Sequence, residues 1–244
     1  MRRTRWLLFA VLVVVLVGGS AAVIRAWSGD DTASSCDVPD TAPDARSEPA
    51  GDDVRVVESG WSPTAGGVAL AAVVQNTSKD RVAYRTRITF TPAGPDWFLE
   101  IPVLLPGQRV GAATWIEGAV SPSRPGVVVG QTHWLDAGKQ GFRSVTATYR
   151  DAGGVTVTSP YCRNVARHGV SLLFRDSTGK LLGGARIDDG PDAVCRPGAR
   201  TDSEKQVQGV PAGADPSRTE AYAYCDPARV DRSPTGPAGV NYSY

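Results

Sequence analysis

The chain is predicted to be all-β, with two tandem β-sandwich modules set behind an N-terminal transmembrane helix and a disordered spacer. Three features predict this. An uncharged apolar run opens the chain, short β-prone stretches separated by Gly, Pro, Asp and Asn fill the remainder with no helical period, and three landmarks recur in the same order in two halves of that remainder. Regular short strands between turn residues mark antiparallel sandwiches and barrels.

The apolar run extends from Trp6 to Ile24 behind Arg2, Arg3 and Arg5. About 19 residues at ~1.5 Å each nearly match the ~30 Å hydrocarbon core of a bilayer. The three arginines hold the N-terminus in the cytoplasm and place the rest of the chain outside it. A cleaved signal peptide is the alternative, because Gly18, Gly19, Ser20, Ala21 and Ala22 provide small residues. The apolar core of a signal is usually about 7–15 residues, however, and Val23 and Ile24 prolong this one before Arg25 and Trp27. A single-pass cell-membrane protein is therefore expected, or a secreted one if the segment is cleaved. A lipoprotein is disfavoured, since Cys36 lies beyond a polar stretch. Residues 1–27 form the basic start and helix. Residues 28–53, rich in Asp, Ser, Pro, Ala and Gly without apolar periodicity, form the spacer.

The first module, 54–136, carries predicted strands at 54–58, 68–75, 81–91, 97–105, 108–115 and 127–135. The second, 142–226, carries them at 142–150, 155–161, 169–175, 180–187, 200–207 and 219–225, and residues 227–244 form a Pro- and Gly-rich disordered tail. The landmarks make the two series a tandem repeat. Asn76 before Ile88 and Phe90 answers Asn164 before Leu172 and Phe174; Pro106-Gly107 answers Pro197-Gly198; Pro122-Ser123-Arg124 answers Pro216-Ser217-Arg218.

In the second series, Leu172-Leu173-Phe174-Arg175-Asp176, the turn Ser177-Thr178-Gly179 and the later Pro197-Gly198 resemble the FxLYD-type extracytoplasmic domain of bacteria. Period two puts Leu172 and Phe174 on one strand face, Asp176 bonds its own turn backbone, and Gly179 supplies positive φ. Arg175 stands where the family prefers Tyr, and in the first series Thr91-Pro92 replaces the Asp and the Gly turn. The resemblance implies immunoglobulin-like β-sandwiches in the cell envelope, and it brings no catalytic residues.

Formal net charge is +1, with no basic field or arginine stripe, so nucleic acid is not an expected partner. Arginine far outnumbers lysine, a usage of GC-rich bacterial genomes. The four cysteines, Cys36, Cys162, Cys195 and Cys225, all follow the apolar run, where disulfides persist, and none forms a CxxC pair. Cys195 heads one predicted strand and Cys225 ends the next, with the turn near Val210 between them, so a hairpin pairs them. If the module is immunoglobulin-like, Cys162 lies at its opposite end and pairs with Cys36, an intermolecular Cys36 bond being the alternative.

No nucleophile elbow and no phosphate loop occurs. His133 and His168 have no histidine neighbour in sequence with which to share a metal, and Asp188, Asp189 and Asp192 lack the alternation of a calcium loop. No catalytic residue, cofactor or metal site is expected. Among Trp61, Trp97, Trp115 and Trp134, Trp61 beside Ser62-Pro63 is the candidate for a partner surface. The expected function is non-enzymatic display of interaction modules that bind a protein or cell-wall partner. The alternatives are an extracytoplasmic hydrolase with a dispersed site around His133 or His168, and an accessory subunit of a membrane complex.

Overall fold

A computed structural model describes residues 46–91, 98–118, 125–138, 141–150, 154–190, 193–202 and 207–230, all within one compact unit. The described residues are all-β. The strands are β1 (Ser47–Pro49), β2 (Val54–Thr64), β3 (Gly67–Asn76), β4 (Arg81–Thr91), β5 (Leu99–Leu104), β6 (Arg109–Glu117), β7 (Gly126–Val129), β8 (Gln131–Asp136), β9 (Thr146–Tyr149), β10 (Val155–Ser159), β11 (Val165–Arg175), β12 (Leu181–Ile187), β13 (Val194–Cys195), β14 (Gly198–Asp202) and β15 (Glu220–Val230). They build three sheets. One has the order β1-β8-β4-β5, with β7 also on β4; a middle sheet is β2-β3-β6; and a seven-stranded sheet runs β12-β11-β15-β9-β10-β14, with β13 on β11.

In the middle sheet β3 and most of β6 are buried on both sides, whereas β2 exposes alternate residues. Strand β3 is apolar along nearly its whole length, the mark of a strand covered on two faces. Leu70, Ala72 and Val74 join Ile88, Phe90, Leu99 and Ile101 in a core shared with the first sheet. Ala71, Val73 and Ala113 point the other way, toward Leu173 and Leu181 of the seven-stranded sheet. That second contact is made of small residues because the backbones nearly touch. A Cβ added to Gly184 would lie 2.6 Å from Ala113 Cβ, and one added to Gly183, where φ is +143°, would lie 2.6 Å from Ala69 O. Packing density leaves no room for either.

Local chemistry expected along the second series is present. Leu172 and Phe174 share a buried cluster, and Asp176 Oδ1 accepts from Thr178 N (2.9 Å) and Lys180 N (3.0 Å). Gly179 holds φ at +92°.

Several expectations require correction. The spacer ends earlier than residue 53: β1 pairs β8 with Ser47 opposite His133, and Ala50 is buried before a 3-10 turn at Gly51–Asp53. The tail begins later than 227, because β15 continues to Val230 with Ala228 buried. The strand expected over 127–135 is interrupted at Gly130, and the one expected over 200–207 is β14, which pairs β10 and not β15. The second series builds one sheet, so a pair of equivalent sandwiches is not what the sheets show. No helix among the described residues is long and apolar enough to cross a membrane. The run from Trp6 to Ile24, most of the spacer and residues 231–244 lie outside them.

Candidate functional site

Strand β15 organises the contact between the two strand series. By period two, Ala221, Ala223 and Cys225 face the core of the seven-stranded sheet, whereas Glu220, Tyr222, Tyr224, Asp226 and Ala228 face the other side. Each of these meets a group from the first series or a residue bound to one. Tyr224 Oη donates to Gly111 O (2.6 Å) and lies 2.7 Å from Ser171 Oγ, which accepts from Ala113 N (3.0 Å). Strand β6 is the edge of its sheet, and these hydroxyls satisfy backbone groups that a buried edge would otherwise leave unpaired. Burial pushes the Tyr224 phenol well above its ordinary pKa.

At one end of this ladder, Arg175 donates to both oxygens of Glu58, at 2.8 Å each, and to Glu220 Oε1 at 2.5 Å. These bonds to Arg175 hold the Glu58 carboxyl below its ordinary range despite partial burial. Further along, the fully buried Asp226 carboxylate accepts from Tyr84 Oη at 3.2 Å and from Ala228 N at 3.1 Å, and His168 Nε2 stands 3.8 Å away. This is where an Asp and a His come together. His168 Nε2 is itself buried and makes no hydrogen bond to a hydroxyl or thiol. His133 meets the ring of Tyr84 edge-on.

The concavity is elsewhere. A groove of about 510 Å³ opens between β5 and the start of β6 on one side and residues 143–149 and β15 on the other, within the range of small-ligand and peptide sites. It exists because the seven-stranded sheet parts there. β9 and β15 pair only at Ala147 and Ala221. The backbone of Arg143, which would otherwise continue that pairing, donates its N–H to Tyr161 Oη (2.9 Å) and accepts from the same hydroxyl at its carbonyl (3.0 Å). Burial pushes this phenol up to about 12. Gln108 Nε2 reaches Ser144 Oγ across the groove at 3.2 Å. Its charged lining residues are Arg109, Arg143 and Glu220, with Thr146, Thr148, Tyr149 and Tyr222 adding hydroxyls.

Of the residues singled out from sequence, Cys195 and Cys225 form a disulfide, Cα to Cα 6.0 Å. The hairpin that motivated the pair is replaced by a different route: β13 and β15 both neighbour β11, Cys195 opposite Val165 and Cys225 opposite Arg167. Cys162 is also disulfide-bonded, and Cys36 lies outside the described residues. Trp61 is partly exposed on β2 and does not line the groove. Trp115 packs against the core of the seven-stranded sheet, and Trp134 stacks under the Arg81 guanidinium. Asp189 is held by Arg167 in a buried ion pair (2.6 Å), while Asp192 and Trp97 lie outside the described residues. Sequence reasoning missed Arg175, taken as a departure from a family pattern, and missed Arg109 and Arg143, which carry no local motif. Comparison with protein families, with curated proteins and with solved structures found no match to this chain.

Proposed function

We propose that this chain is a non-enzymatic binding protein, anchored in the cell membrane through residues 6–24, which presents its β-sheet body to a protein or cell-wall partner outside the cytoplasm. In this reading the two strand series are tandem β modules fused through the middle sheet. The supporting observation is the groove at their junction: it is concave, lined by hydroxyls and guanidinium groups, and separate from the buried Asp226 cluster. Fusion through the middle sheet keeps its two sides at a fixed spacing, which favours recognition over hinged closure.

A photocrosslinking amino acid placed at Thr148 in the groove, and separately at the exposed Arg55 on β2, tests the proposal in the intact chain in its host membrane. A discrete adduct from Thr148 and none from Arg55 is expected. Identical patterns, or no adduct from Thr148, would reject it. Intact mass of the membrane-pelleted chain checks the anchor, since loss of the first two dozen residues would make the protein a secreted one.

A further inference from the structure

We propose that residues 240–244 of this chain lie in the groove as a strand added to β15, a strap that any partner entering the groove must displace. The strap concerns the same groove as the binding role above but does not depend on it. A Cβ on Gly184 of β12 would lie 2.3 Å from Leu172 O, so Leu172 turns its backbone groups toward β12, and its pair with Ala221 on the other side is not hydrogen-bonded. Further along β11, Arg167 N donates to Ala193 O at 2.8 Å, away from Cys225, its partner in register. Ala221, Ala223 and Cys225 therefore turn their N–H and C=O away from β11, toward the side where the sheet parts. Ala221 meets Ala147 of β9 there. Ala223 and Cys225 instead line the groove, and no described residue pairs with their backbone on that side, although Cys225 is buried. A bare backbone edge in so closed a place calls for another strand.

The chain beyond β15 supplies a segment of the right kind. Val240-Asn241-Tyr242-Ser243-Tyr244 carries no charged side chain, alternates large residues with small polar ones at period two, and follows the turn formers Pro234, Gly236, Pro237 and Gly239. The groove selects no ionic ligand, since Glu220 is engaged by Arg175 at 2.5 Å and Arg109 faces the field of Glu58. Reach is sufficient. Residues 226–230 carry β15 about 16 Å past Cys225 at ~3.3 Å each, and residues 231–239 span up to roughly 30 Å, so the chain can reverse and run back antiparallel along β15. In that register Val240 stands beside Cys225 and Tyr242 beside Ala223, where the small side chains of Ala147 and Ala223 leave room for a ring.

Amide hydrogen exchange, read residue by residue in detergent micelles, compares the full-length chain with Tyr242→Asp and with a chain ending at Val230. In the full-length chain the N–H groups of Ala223 and Cys225 are expected to exchange about tenfold or more slowly than in either variant. The Leu172 N–H, turned toward β12, stays protected in all three and reports an intact sheet. Should the shortened chain lose that protection, Tyr242→Asp decides. Added Val-Asn-Tyr-Ser-Tyr slows the two amides again in the chain ending at Val230, and the same peptide N-methylated along its backbone does not. Fast exchange of Ala223 and Cys225 in the full-length chain, or equal exchange in all three, overturns the proposal. Protection that fades on dilution of the protein overturns it in favour of a strand from a second copy. The Thr148 crosslink separates the strap from the binding role. If the two amides exchange fast while Thr148 captures a partner, the strap falls alone; if residues 240–244 protect them while Thr148 captures no partner even in Tyr242→Asp, the binding role falls and the strap stands.

Discussion

Removing one hydroxyl, in Tyr224→Phe, tests how the two strand series are held together. The Tyr224 side chain is fully buried, and its phenol carries one proton, which goes to Gly111 O at 2.6 Å. Ser171 Oγ, 2.7 Å away, then donates to the phenol oxygen and accepts from Ala113 N at 3.0 Å. The result is a chain of three hydrogen bonds from one free-edge group of β6 to another. Tyr224→Phe leaves the Gly111 carbonyl without a partner in a dry contact, at a cost of about 1–3 kcal/mol. The Ser171 hydroxyl has a poor alternative in Ala113 O at 3.5 Å, so a second full penalty is not added. Ser171→Ala orphans the Ala113 N–H for a similar cost of about 1–3 kcal/mol. Because each variant breaks the link to the other, the double variant should cost less than the sum by about 0.5–2 kcal/mol. For a body of roughly 200 residues, each kcal/mol lowers Tm by about 2–4 °C. Thermal and urea unfolding, followed by near-ultraviolet circular dichroism, would measure the cycle. A Tyr224→Phe midpoint within about 0.5 kcal/mol of the parent, or additivity of the two variants, would refute the buried-edge account.

Gly183→Ala should destabilise by more than about 2 kcal/mol, since the new Cβ meets the Ala69 carbonyl at a backbone angle unsuited to L-residues, whereas Gly51→Ala, with open space around it, should cost only about 1 kcal/mol; equal urea midpoints for the two would contradict the close sheet contact. The Glu58 carboxyl is held below its ordinary value of 4.5 by its hydrogen bonds to Arg175, so its stabilisation is complete above that value and disappears as pH falls through the lowered folded-state value. Unfolding midpoints should therefore show Glu58→Gln least stable relative to the parent at pH 7, the gap closing below about pH 4; a gap independent of pH would dismiss the ion pair. The Cys195 to Cys225 bridge closes a loop with a sequence separation of 30 residues, and its replacement by two alanines should cost about 2–5 kcal/mol in denaturant titrations, an unchanged midpoint being the contrary result.

Strand positions were legible in this sequence wherever the deciding chemistry is local. Period two placed Leu172 and Phe174 together, and an Asx turn and a glycine of positive φ formed at Asp176 and Gly179. The limits of the ordered body were less legible: residues 47–53 are polar and turn-rich and residues 227–230 are too few to show a period, and only pairing partners elsewhere, His133 for Ser47 and Val165 for Val230, give them structure.

By itself, the sequence determined the all-β class and the approximate positions of most strands. The tertiary structure alone decided which sheet each strand joins, how the second series becomes one sheet and where the groove opens. Side-chain alternation dictates the face a residue takes within a strand, but the neighbour across the sheet is chosen by backbone groups that every residue shares. Arg109, Arg143, Thr148 and Glu220 meet in one groove because β9 leaves β15 after a single pair, where the buried hydroxyl of Tyr161 takes over the backbone of Arg143.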